Sequence, residues 1–197
     1  MANREMLCLA VGAAMLATAC ATSRVARQHS RHELRLDARP ELRLAPNIRA
    51  AFPLESCVRT MLSRSSTFRQ TYKMIATHRS VRVNLWLAPV RRHSVRAETD
   101  VRSFVGGKRV ADIRLYTTVD MVELVAHEME HVREQLEGTN LLLLSVARGG
   151  DVRRISGSFE TRRGIETGLR VADEVGPSAA RMCEASAKNT ALMSFSF

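Results

Sequence analysis

The sequence predicts an α+β domain in which a small antiparallel or mixed sheet packs on one helix over residues 121–138 and on a second long helix over 159–175. Three observations lead there. Val81, Val83, Leu85 and Leu87 alternate with Arg82, Asn84 and Trp86, the two-residue period of a half-buried strand, which Pro89 ends. Two more strand-like runs, 95–105 and 110–116, are separated by the turn signal Gly106-Gly107 and lead directly into the first of these helices. There Met121, Leu124, Val125, Met129, Val132 and Leu136 recur at helical spacing, with Gly138 as a stop.

Taken in order, residues 1–20 read as a signal peptide. Arg4 precedes an apolar run over 7–17 that is too short for a permanent membrane span, and small residues surround Cys20. The stretch Leu16-Ala17-Thr18-Ala19-Cys20 resembles the lipobox of bacterial lipoproteins, which implies lipidation of Cys20 and a membrane tether. Plain cleavage after Ala19 or Ala21 is the rival. Either way the chain is expected to be exported to the periplasm or cell envelope. With Cys8 and Cys20 set aside, Cys57 and Cys183 remain, to pair in an oxidising compartment or to stay as two buried thiols.

Residues 21–50 are polar, Arg-rich and interrupted by Pro40 and Pro46, so a flexible tether is expected. The domain then spans 51–197. Apolar residues return at helical spacing over 54–63, and Ser66 is expected to cap a second helix through Phe68, Tyr72 and Ile75. After the helix over 121–138, residues 141–147 read as a short apolar helix. Phe159, Ile165, Leu169 and Ala172 mark the core face of the next long helix, which Gly176-Pro177 ends.

The net charge is +10, and 27 of the 30 basic residues are Arg. Such a surface suits nucleic acid or an anionic envelope. The Arg residues are scattered, however, and aromatics to stack on bases are few, so no nucleic-acid partner is expected.

The chemistry concentrates in the segment ELVAHEMEHVREQLEG, residues 123–138, which holds His127, Glu128 and His131 in the order H-E-x-x-H. Two His four apart project from one face of a helix, so both imidazoles reach one cation. Glu128, one residue after the first His, is near enough to hold a water beside that cation without being a ligand. This is the spacing of a hydrolytic zinc site. A closed structural zinc site usually has Cys ligands, and none lies nearby in sequence.

These residues resemble the zincin metallopeptidases, in particular the gluzincin type, with an HExxH helix, a sheet in front and a downstream helix supplying a Glu. The likeness rests on His127, Glu128, His131 and that Glu, and extends loosely over residues 81–175. It implies a zincin-like fold, zinc as cofactor, a peptide or protein as substrate, and Glu128 as the base that takes a proton from the attacking water and passes it to the leaving amine. The metzincin pattern fails, because Glu134 stands where that pattern needs Gly and Glu137 falls about 240° round the helix from His131.

The implied third ligand is Glu160, with Glu166 as the alternative. Glu160 is followed at helical spacing by Gly164 and Thr167, small enough for close approach of the His helix, whereas Leu169 and Arg170 follow Glu166. Tyr116, Arg162 and Arg163 are candidates to meet the oxyanion, and the resemblance suggests a peptide lying along the strand at 110–116. A non-catalytic envelope scaffold with the same fold is the competing reading. The presence of Glu128 argues against it, since a scaffold has no need of a carboxylate beside an open metal position.

Overall fold

A computed structural model describes residues 43–89, 95–139, 144–145, 152–155 and 158–193. The expected signal peptide, most of the tether and all but Leu144 and Ser145 of the apolar helix expected at 141–147 lie outside these residues; those two are helical. Among the described residues the order is β1 (Ile48–Ala50), α1 (Leu54–Arg64), α2 (Ser66–Thr77), β2 (Val81–Leu87), β3 (Ala97–Ser103), β4 (Arg109–Leu115), α3 (Met121–Leu136), β5 (Val152–Ile155), β6 (Ser158–Thr161), α4 (Arg162–Val175) and α5 (Pro177–Met193). This is an α+β chain with a small mixed sheet.

Four strands form that sheet in the order β1-β2-β4-β3. β1 runs parallel to β2 and β2 parallel to β4, while β3 returns antiparallel to β4 through a tight turn at Gly106 and Gly107. Both glycines have positive φ, which explains the glycine pair at the turn. Alternation sets the faces. Val81, Val83, Leu85, Ala111, Ile113 and Leu115 are buried under the helices, and Asn84, Asp112 and Arg114 point to the other side. There Asp112 accepts from Asn84 and pairs with Arg102.

Several expectations are corrected. Residues 48–50, assigned to the tether, form β1, because Ile48 is buried and the segment is tied down from two sides. The Tyr72 hydroxyl accepts from Ala45 N–H, and the Asn47 amide donates to the carbonyls of Ile75 and Val81. Ser65 rather than Ser66 caps α2, its hydroxyl accepting from Phe68 N–H at 2.9 Å. The helix expected from Phe159 starts at Arg162, since residues 158–161 pair with β5 as an antiparallel hairpin. Gly176 does end it, but Pro177 opens a further helix, α5.

α3 is nearly hidden. Met121, Val125, Met129 and Val132 face the sheet and the α1–α2 layer, while α4 lies along its remaining flank. Two glycines permit that approach. A Cβ at Gly168 would meet the Glu123 carbonyl oxygen at 2.9 Å, and one at Gly164 would meet Thr161 Oγ1 at 3.0 Å and His131 Cε1 at 3.1 Å.

Candidate metal centre

His127 and His131 stand one turn apart on the flank of α3 that meets α4, as the i, i+4 spacing requires. Their rings pack edge to face with centroids 4.6 Å apart, and the two Nε2 atoms are 2.9 Å apart. Glu160, the last residue of β6 before Thr161, brings Oε2 to 3.1 Å from His127 Nε2. One ligand atom from each of His127, His131 and Glu160 lies within 4.8 Å of the others, so this group could hold a metal ion.

The donors suit a cation. His131 Nδ1 lies 3.0 Å from Glu134 Oε2, and an ionised carboxylate only accepts, so Nδ1 carries the proton and Nε2 offers its lone pair to the cluster. Two imidazole nitrogens at 2.9 Å need a proton or a cation between them. Tetrahedral zinc at about 2.0–2.1 Å from its ligands separates them by about 3.3 Å. The separations of 2.9 Å between the two histidines and 3.1 Å from His127 to Glu160 are a few tenths of an ångström short of that, a side-chain adjustment.

Electrostatics in the cluster follow from burial and proximity. Burial opposes charge on His127, but the Glu160 hydrogen bond and the carboxylates of Glu128, Glu160 and Glu134 hold its pKa above the usual histidine value. The bond to His127 holds the Glu160 carboxyl below its usual range against the effect of burial. Glu128 is 4 % exposed, and burial pushes its carboxyl up against the pull of His131, His127 and the Thr99 hydroxyl.

Glu128 is held from β3. Thr99 Oγ1 lies 2.6 Å from Glu128 Oε2 and 3.2 Å from its backbone oxygen, fixing the carboxylate between the edge strand and the helix. Glu134 is held from α4's start, where the Thr161 hydroxyl donates to it at 3.1 Å and accepts from Gly164 N–H at 2.9 Å. Neither Thr99 nor Thr161 figured in the sequence reading, and Glu134 entered it only as the residue that breaks the metzincin pattern. Glu134 had a local signal, being three residues from His131 on the same face. Thr99 had none, because its role depends on strand register.

Other candidates fall elsewhere. Glu166 pairs with Arg162 at 2.7 Å on the exposed side of α4, away from the histidines. Arg163 is engaged by Glu137 and the buried Glu130, and the Tyr116 hydroxyl donates to Glu98 at 2.6 Å. The three residues expected to meet the oxyanion thus each hold a carboxylate outside the group of His127, His131 and Glu160. The strand at 110–116 cannot receive an extended peptide, because β4 is paired on both sides; among the described residues the edges of the sheet are β1 and β3.

Comparison of the chain with models of protein families, with curated proteins and with solved structures found no match.

Proposed function

We propose that the protein is a zinc-dependent hydrolase, acting on peptide bonds, with a zincin-like arrangement. The observation that carries this reading is the convergence of His127, His131 and Glu160 from α3 and β6, with the buried carboxylate of Glu128 beside them. When bound, a zinc ion there supplies a Lewis acid that polarises a carbonyl and lowers the pKa of a neighbouring water.

The chain's own residues do the rest. Glu134 fixes the His131 tautomer so that Nε2 points inward. Glu128, kept in place by Thr99, takes a proton from the attacking water and delivers it to the departing amine. Among the described residues β3 is an edge strand and reaches this carboxylate through Thr99, so an extended peptide pairing with β3 brings its carbonyls towards Glu128. The leader-like residues 1–20 support action in the periplasm or cell envelope, with a lipid on Cys20 as tether.

The test is metal analysis of the purified chain beside its Glu128→Gln variant, with a general peptide library as substrate. Zinc in both, with hydrolysis reduced roughly 10²–10⁴-fold in the variant, is the expected result. Zinc bound without hydrolysis by either would transfer the reading to a binding scaffold.

A further inference from the structure

Cys57 on α1 and Cys183 on α5 lie 126 positions apart in the sequence, yet their helices pack together. Both are buried, 1 % and 5 % exposed, in one core cluster, and both are free thiols in this structure. The two thiols are neighbours there, each shifting the titration of the other. We propose that Cys57 and Cys183 are a disulfide site, joined in an oxidising compartment to staple α5 to α1.

Two cysteines buried in one core where their helices pack together meet the first requirement of such a bond, which joins only residues already brought close. The chemistry divides the roles. Interaction with Cys57 holds the Cys183 thiol below its ordinary value, whereas Cys183 and burial push Cys57 up. Cys183 is the more exposed of the pair, so it is the sulfur that an oxidant reaches first and the one that attacks.

Its thiolate attacks one sulfur of an oxidant disulfide, glutathione disulfide or a protein dithiol oxidant, forming a mixed disulfide and releasing one thiolate. That attack removes the charge that had kept Cys57 protonated. Cys57 then loses its proton, attacks the Cys183 sulfur and expels the second thiolate. The pair gives up two electrons and two protons, and the oxidant leaves as two thiols.

The staple reaches the metal centre. Glu184, the next residue along α5, accepts the Asp120 backbone N–H at 2.9 Å, immediately before α3 begins. Asp120 has φ 55°, a conformation that non-glycine residues seldom adopt, so the start of the His helix relies on neighbours to hold it. Fixing α5 fixes that contact.

The test uses the full chain, equilibrated in a mixture of reduced and oxidised glutathione as oxidising as a secretory compartment. Free thiols are then trapped with N-ethylmaleimide in denaturant, and the peptides are mapped without reduction. A Cys57–Cys183 cross-linked peptide is expected in most molecules. Reduction should lower the melting temperature by about 10 °C. The double variant Cys57→Ala, Cys183→Ala should show no response to reductant. Maleimide on both cysteines after oxidation, or either joined instead to Cys8 or Cys20, overturns the proposal. A bridge whose reduction leaves the melting temperature unmoved overturns the staple. If the double variant does not fold, the peptide map of the unaltered chain still decides.

Discussion

Glu134 Oε2 lies 3.0 Å from His131 Nδ1, one turn further along the same helix, and both side chains are buried. The carboxylate also receives the Thr161 hydroxyl, so its position is fixed from two elements at once. A His held this way keeps one tautomer and one ring orientation, which matters most for a nitrogen that must present a lone pair. Glu134→Ala is expected to weaken zinc affinity by about 10–100-fold while leaving the helices formed. Competition with a fluorescent chelator, alongside circular dichroism, checks it. Undiminished affinity in a folded variant would mean that Glu134 only fills space.

Gly168 decides how near α4 comes to α3. Replacing glycine inside a helix with alanine ordinarily gains up to about 1 kcal/mol. Here the added Cβ would stand 2.9 Å from the Glu123 carbonyl oxygen, a backbone atom that cannot swing aside. Overpacking of this kind costs about 1–3 kcal/mol, so the clash wins. Gly168→Ala should lower the urea midpoint, and a midpoint at or above the parent value would show that the helix pair has slack.

Glu160 and Glu166 were the rival third ligands, and their surroundings separate them. Glu160 Oε2 is 3.1 Å from His127 Nε2, whereas Glu166 is spent on an exposed pair with Arg162 that is worth at most about 1 kcal/mol. Glu160→Gln is expected to lose most bound zinc and Glu166→Gln to keep it, read by metal content after dialysis. The opposite result would move the ligand role to α4.

How far the chain could be read without coordinates depended on how local each signal was. Strand β2 and helix α3 were legible because their apolar residues repeat with the period of the element and need no distant partner to be recognised. His127, Glu128 and His131 were legible for the same reason, as three positions on a single helix. Glu160 could be named from its distance along the chain, but not placed. It was expected in the first turn of a helix, and β6 is a strand only because β5 pairs with it. The short β1, hidden in an Arg-rich stretch, likewise owes its existence to pairing with β2. Sheet order was the largest loss: a strand's period does not say which neighbours flank it, so β4 was taken for an edge that β3 in fact provides.

Glu174 gives the fold a pH dependence whose sign can be worked out. From α4 it accepts Ser65 Oγ at 2.6 Å, Thr67 Oγ1 at 2.6 Å and Thr67 N–H at 3.0 Å, so it caps the start of α2 from outside. Burial raises its pKa, but these hydrogen bonds outweigh that and bring it down to about 2. A carboxyl depressed in the folded state adds stability that is fully present above its unfolded value, here 4.5, and is lost as pH falls from there through about 2. Because the group is partly open to solvent, the contribution at neutral pH is discounted to about 1 kcal/mol. Glu174→Gln should therefore melt about 2–4 °C below the parent at pH 7. The gap should narrow steadily between pH 4.5 and pH 3. Equal gaps at pH 7 and pH 3 would show that the hydrogen bonds act through shape alone, with no part played by the charge.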